Sequence, residues 1–269
     1  MQEKIKSEGK CLFCRKTFAK AGINRHLSTH IKEKEKSGKP GQSFFVKVET
    51  SKRWGSTPYF LSLWIDGETT LQDLDNFLRN IWLDCCGHLS AFRDPSGRIN
   101  GILYDKDEDE MDEDFEDEDD DDEEDDDVFG SLFGYQREDD ISKKCKAGKI
   151  FFIGLVMDYE YDFGSTTELR ITVMDEYSVK ADEDIVLLSR NEPLKIICSI
   201  CGKVPATQMC PYCIYEEGAE FCDQCAKKHA KKCEDFDEDS SMPIVNSPRS
   251  GVCGYTGGII DIERDTYQV

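Results

Sequence analysis

The sequence predicts an α+β fold: a small ββα finger, a mixed or antiparallel sheet domain with one main helix, and a C-terminal module that holds two metals. Three observations lead there. Short apolar runs with the alternation of half-buried strands recur through the middle of the chain. The segment from Thr70 to Trp82 carries a capping signal and an apolar stripe at helical spacing. Cys and His residues stand at metal-ligand spacings in two clusters, and thiolate with imidazole is the donor set that Zn2+ prefers.

The elements follow in order. Residues 1–36 form a basic head, and within it Cys11, Cys14, His26 and His30 give C-x2-C-x11-H-x3-H. The two histidines lie four apart, on one helical face. Phe18 and Ile23 stand where a small ββα unit wants its core residues. This pattern resembles the two-Cys, two-His zinc finger, one residue short between the second Cys and the first His. The resemblance implies a bound zinc ion, and bases read from the helix start by Lys20, Asn24 and Arg25. Arg15, Lys16 and Lys32 would add salt-sensitive phosphate contacts without sequence choice. Docking on a protein is the alternative use of the same surface.

Residues 37–43, with Ser37-Gly38-Lys39-Pro40-Gly41, read as a linker. The body is expected over 44–197. Strands are predicted at Phe44–Glu49 and Tyr59–Ile65. A helix opens at Thr70, where Asp73 completes a capping box, and Leu71, Leu74, Phe77, Leu78, Ile81 and Trp82 form its buried face. Further strands are expected at 89–93, 98–104, 149–161, 168–173, 185–188 and 194–198. A disordered acidic loop at 105–140 interrupts them. Between Asp105 and Asp127, 20 of 23 residues are Asp or Glu, so this tract carries −19 of the net −22. Such a run repels itself and cannot bury enough surface to fold. It is a solubilising loop, a lure for a basic partner, or a DNA mimic acting as an inhibitor.

The order of strand, strand, capped helix and a His88-Leu89-Ser90-Ala91-Phe92 strand, with Tyr161-Asp162-Phe163-Gly164 further on, resembles the plasmid-Ri ORF-three-like proteins of plasmids and other mobile elements. The resemblance covers roughly residues 42–175. Many members continue Tyr-Asp-Phe-Gly with Asp-x-Trp-x-His and carry a second His in the His-x-His strand. This chain has Ser165 to Leu169 and Ser90 at those places and keeps His88 alone, which reads as structural. Asp162-Phe163-Gly164 reads as a strand-end turn, since the other kinase signatures are missing.

The densest signal lies at 198–235. Eight ligands run C-x2-C-x8-C-x2-C-x8-C-x2-C-x3-H-x3-C from Cys198 to Cys233, enough for two tetrahedral sites. The segment resembles the HIT and MYND cross-brace zinc fingers. That likeness implies one site from Cys198, Cys201, Cys222 and Cys225, and a second from Cys210, Cys213, His229 and Cys233. A sequential pairing, the first four ligands and then the last four, stays open beside it. Residues 236–269 are expected to pack on the body as a tail. Cys85, Cys86, Cys145 and Cys253 fall outside these patterns and are given core or incidental roles, with a Cys253 nucleophile paired to His88 the least favoured reading.

The sequence has thirteen cysteines, and neither a secretory leader nor a membrane-spanning run is recognised in it, so a soluble, cytoplasmic protein is expected. The functional expectation is a non-enzymatic adaptor carrying about three Zn2+, four protein ligands to each. A protein partner is expected, with nucleic acid as a second contact and no membrane. An enzyme on the sheet domain is the competing class.

Overall fold

The computed structural model describes residues 7–51, 58–99, 140–213, 218–237 and 240–267. Strands β1 (Glu8–Lys10) and β2 (Thr17–Ala19) pair as a hairpin and lead into helix α1 (Lys20–Glu35). The body comprises β3 (Pro40–Thr50), β4 (Phe60–Asp66), helix α2 (Leu71–Leu78), β5 (Ser90–Arg93), β6 (Asp140–Ile141), β7 (Val156–Tyr161), β8 (Thr167–Val179) and β9 (Ile185–Arg190). These strands make one antiparallel seven-stranded sheet in the order β6-β5-β7-β8-β3-β4-β9. A separate three-stranded sheet, β11-β10-β12, joins β10 (Gln208–Met209), β11 (Glu220–Phe221) and β12 (Met242–Pro243), with helix α3 (Asp223–His229) beside it.

Helix α2 starts where its cap places it. The Asp73 backbone N–H donates to Thr70 Oγ1 at 3.1 Å and the Asp73 carboxylate accepts from the Thr70 backbone N–H at 2.9 Å, so two orphan donors are satisfied at once. Its stripe, Leu71, Leu74 and Leu78, is buried on the sheet, and each such leucine contributes about 1.5–3 kcal/mol relative to exposure. A single π-helical turn, Arg79–Leu83, prolongs it and buries Ile81 and Trp82.

Both faces of the sheet are covered. Phe44, Val46, Val48, Leu61, Leu63 and Ile65 point toward α2, while Phe45, Phe60 and Trp64 point the other way and meet Ile23, Leu27 and Ile31 of α1. Every residue of β4 is therefore buried. Strand β8 serves both cores by means of a bulge. Phe45 pairs with Asp175 and Val46 with Val173, which leaves Met174 over. The extra residue inverts the alternation, so Leu169, Ile171 and Val173 face α2 whereas Tyr177 and Val179 face α1.

Four sequence expectations need revision. The strand expected from Phe44 begins at Pro40, so most of the 37–43 segment is sheet, and only a short turn separates it from α1. The strand expected over 149–161 is a helical turn at Ala147–Ile150, then a turn with Gly154 at φ +84°, and strand only from Val156. No strand forms at 194–198. There the Cys198 N–H turns back to the Val204 carbonyl, and an isolated bridge joins Ile197 to Pro205. Arg98 and Ile99 are helical, and the rest of 98–104 lies outside the described residues. The acidic loop at 105–140 also lies outside them, apart from Asp140, which opens β6 beside Arg93.

One charged group is buried under α2. Asp75 accepts hydrogen bonds from Tyr159 Oη at 2.6 Å, Ser90 Oγ at 2.7 Å, Arg79 Nε at 2.8 Å and Lys143 Nζ at 3.3 Å. Burial alone would raise its pKa, but Lys143 and Arg79 outweigh burial and hold the carboxyl below its usual range. A depressed folded-state pKa stabilises the fold above the unfolded value, about 3.9, and that contribution is lost as pH falls below it. Urea midpoints are therefore expected to drop below about pH 4, and Asp75→Asn, less stable at pH 7, to show a shallower acid limb.

Candidate metal centres

In the finger, the chain turns sharply after β1. The Cys11 N–H donates to the Lys16 carbonyl at 2.9 Å and the Arg15 N–H to the Cys11 carbonyl at 2.8 Å, with Arg15 left-handed at φ +62°. This turn aims both thiols at α1. Cys14 Sγ lies 3.2 Å from His26 Nε2, which lies 3.2 Å from His30 Nε2. Phe18 stacks on His26 with ring centroids 4.1 Å apart. Burial, then the neighbouring His30 and Lys16, lowers the His26 pKa, which favours the neutral imidazole that ligates metals. Cys11, Cys14, His26 and His30 thus offer four donor atoms within 4.8 Å of one another.

Helix α1 carries two stripes. One presents the histidines to the thiols; the other, Ile23, Leu27 and Ile31, is fully buried on the sheet. The seating is also polar: Lys20 pairs with Glu49 at 2.8 Å, Asn24 Oδ1 accepts from Ser62 Oγ at 3.0 Å, and the Leu12 N–H donates to the Leu188 carbonyl at 2.9 Å. Gly9 fits here for want of a side chain, since a Cβ would stand 2.6 Å from Phe60 Cζ. Two of the six side chains expected at nucleic acid, Lys20 and Asn24, are thereby turned to the sheet. Arg15, Lys16, Arg25 and Lys32 are exposed.

The C-terminal ligands interleave. Cys198, Cys201, Cys222 and Cys225 form one cluster, and Cys210, Cys213, His229 and Cys233 the other, each with its donor atoms within 4.8 Å. The sequential pairing is not the one adopted. Helix α3 begins right after Cys222 and presents Cys225 and His229 one turn apart, so it serves both clusters. Among the described residues, Ala206, Ala226, Phe221 and Phe236 pack with the ligands, with Ile196 and Ile244 at the margin. Burial opposes ionisation of Cys198, but backbone N–H groups of Cys201, Cys222 and Ile200 outweigh it and bring the thiol down to about 6. Cys225 and Cys213 are pushed up to about 12 by desolvation and then by neighbouring thiols. Ionising every thiol of such a cluster would take a cation to offset the charge.

A fourth cluster was not legible from spacing. Cys85, Cys86 and His88, just beyond the π-turn, meet Cys253 of the tail, again with donor atoms within 4.8 Å. The roles first given to these cysteines, and to His88 as a lone structural residue, do not describe this meeting. Cys145 stays apart, half-buried against the α2 core. Among the described residues, four Cys/His clusters could hold a metal ion. No helix among the described residues is long and apolar enough to cross a membrane.

No family model matches the chain, and no curated protein does. Among solved structures, a protein of unknown function from Methanosarcina mazei Go1 is similar at 14% identity, over 55% of this chain and 67% of that one, with a TM-score of 0.33.

Proposed function

We propose that this chain is a non-enzymatic adaptor whose Cys/His clusters bind zinc and whose C-terminal module docks a protein partner. The observation that carries the reading is an apolar surface on that module. Ile197, Ile200, Val204 and Tyr212 are each 40–60% exposed around the ligand turns. Clustered exposure of this kind marks interaction surfaces. Beside it lies a cleft of about 520 Å3 that opens from the second cluster, with Cys213 and His229 in its wall, Ile200 and Phe221 among its apolar lining and Lys228, Lys231 and Lys232 along it. Its chemistry fits an aliphatic segment flanked by Asp or Glu.

Zinc is the metal that the donors favour, and four protein ligands per ion leave no open position for water or substrate. That supports shape rather than catalysis as the metals' role. The exposed Arg15, Lys16, Arg25 and Lys32 suit phosphate contacts, which makes nucleic acid a secondary partner of the finger. The likeness of residues 42–175 to plasmid-borne proteins suggests a nucleoprotein assembly of a mobile element as the setting. The test is affinity purification from the native cell with and without nuclease. A nuclease-resistant protein partner is expected, with affinity reduced about tenfold or more by Ile200→Glu at unchanged zinc content. A partner lost on nuclease treatment, or indifferent to Ile200→Glu, would overturn the reading.

A further inference from the structure

We propose that Cys85, Cys86, His88 and Cys253 form a further zinc site, which fastens the C-terminal tail to the end of the α2 segment. The proposal stands on geometry independent of the adaptor reading. Cys86 Sγ lies 3.8 Å from Cys85 Sγ and 3.7 Å from Cys253 Sγ, and His88 Nε2 lies 3.0 Å from Cys86 Sγ and 3.2 Å from Cys253 Sγ. Tetrahedral Zn–S bonds of about 2.3 Å place two sulfurs about 3.8 Å apart. A disulfide would hold them at about 2.05 Å.

Both loops are shaped to deliver these donors. Asp84 Oδ1 accepts from the Gly87 N–H at 3.1 Å and from Tyr161 Oη at 2.9 Å, and Gly87 takes φ +72°, so the chain doubles back between Cys86 and His88. On the other side, Gly251, Cys253 and Gly254 have φ +82°, +48° and +69°. A left-handed backbone disfavours a residue bearing Cβ, and its adoption by Cys253 is a local cost that ligation would offset. The surroundings complete the case. Three thiolates, one neutral imidazole and Zn2+ sum to −1. The fully buried Arg249 guanidinium, whose own charge is met by Asp162 at 2.5 Å, also donates to Cys85 Sγ at 3.5 Å in the manner of an outer-shell partner.

A cysteine nucleophile with His88 as its base fits less well. A relay needs the orienting carboxylate on the imidazole nitrogen that does not face the thiol. Here Asp162 Oδ2 approaches the same Nε2, at 3.6 Å, that faces Cys253. The cluster spans 165 residues of sequence between His88 and Cys253. It therefore ties the tail to the body beyond the two-metal module, which leaves the sheet after β9 and returns through that tail.

The experiment uses the full chain purified under reducing conditions with zinc. Metal analysis is expected to give four zinc ions per chain, and Cys253→Ser three. In the wild type, Cys86 and Cys253 are exposed yet are expected to resist iodoacetamide until a chelator is added, as read by peptide mass spectrometry. Three zinc ions in the wild type, four retained by Cys253→Ser, or labelling of Cys86 and Cys253 without chelator would overturn the proposal, as would a Cys86–Cys253 disulfide. If Cys253→Ser fails to fold, the labelling pattern of the wild type decides alone.

Discussion

Stripping the chain of metal is expected to unfold residues 198–237 completely while the seven-stranded sheet stays folded. The module has two-residue strands, a seven-residue helix and an interior made largely of the ligands themselves. Metal binding is then the folding free energy, on the order of 10–16 kcal/mol for a structural zinc site at neutral pH. The sheet differs because two apolar cores hold it, one on each face. The finger should respond in a third way. Its helix is seated on Phe45, Phe60 and Trp64 through Ile23, Leu27 and Ile31, so only the Cys11–Lys16 turn should loosen. Hydrogen exchange with and without chelator reads all three regions at once. Persistent protection across α3 after metal removal would contradict the account.

The second large effect is expected at Arg249. Its guanidinium is fully buried, donates to Asp162 Oδ2 at 2.5 Å and to Thr167 Oγ1 and the Ser165 carbonyl at 3.1 Å each, and lies over the Tyr161 ring. Removing it strands the Asp162 carboxylate, which is itself buried. Breaking a buried ion pair in this way costs about 3–5 kcal/mol. For Arg249→Ala this corresponds to a Tm lower by roughly 10 °C. The double variant Arg249→Met with Asp162→Asn should recover part of the loss, because no lone charge remains inside. A shift under about 2 °C for Arg249→Ala would mean that the tail is not folded against the body.

What could be read from the sequence was local. The Thr70–Asp73 box and the Leu71, Leu74, Leu78 stripe fix α2 within a dozen residues, and the structure has both. The α+β character with largely antiparallel pairing followed from strand-like runs in the same way. Spacing named the twelve ligands, and the likeness to cross-brace fingers, not spacing, implied the interleaved sets that stand close together in the structure. Contacts made across the chain were not legible. Cys85, Cys86 and His88 gave no ligand spacing, and Cys253, their missing partner, is far away in sequence. A signal did exist for the seating of α1: Ile23, Leu27 and Ile31 recur every four residues, more apolar face than a lone finger needs. The bulge at Met174 left no such trace, since it changes which face the later residues of β8 meet without changing their composition.

The stripe of α1 on the sheet also has a history in time. The finger is made first, but Tyr177, Val179 and Leu188, which help to cover Ile23, Leu27 and Ile31, are synthesised about 150 residues later. At about 5–20 residues per second the wait is roughly 8 to 30 seconds. Throughout it, a newly made apolar helix face stands before an incomplete sheet, open to chaperones or to neighbouring nascent chains. An early-bound metal ion would hold that helix in shape while the rest of its seat is still on the ribosome.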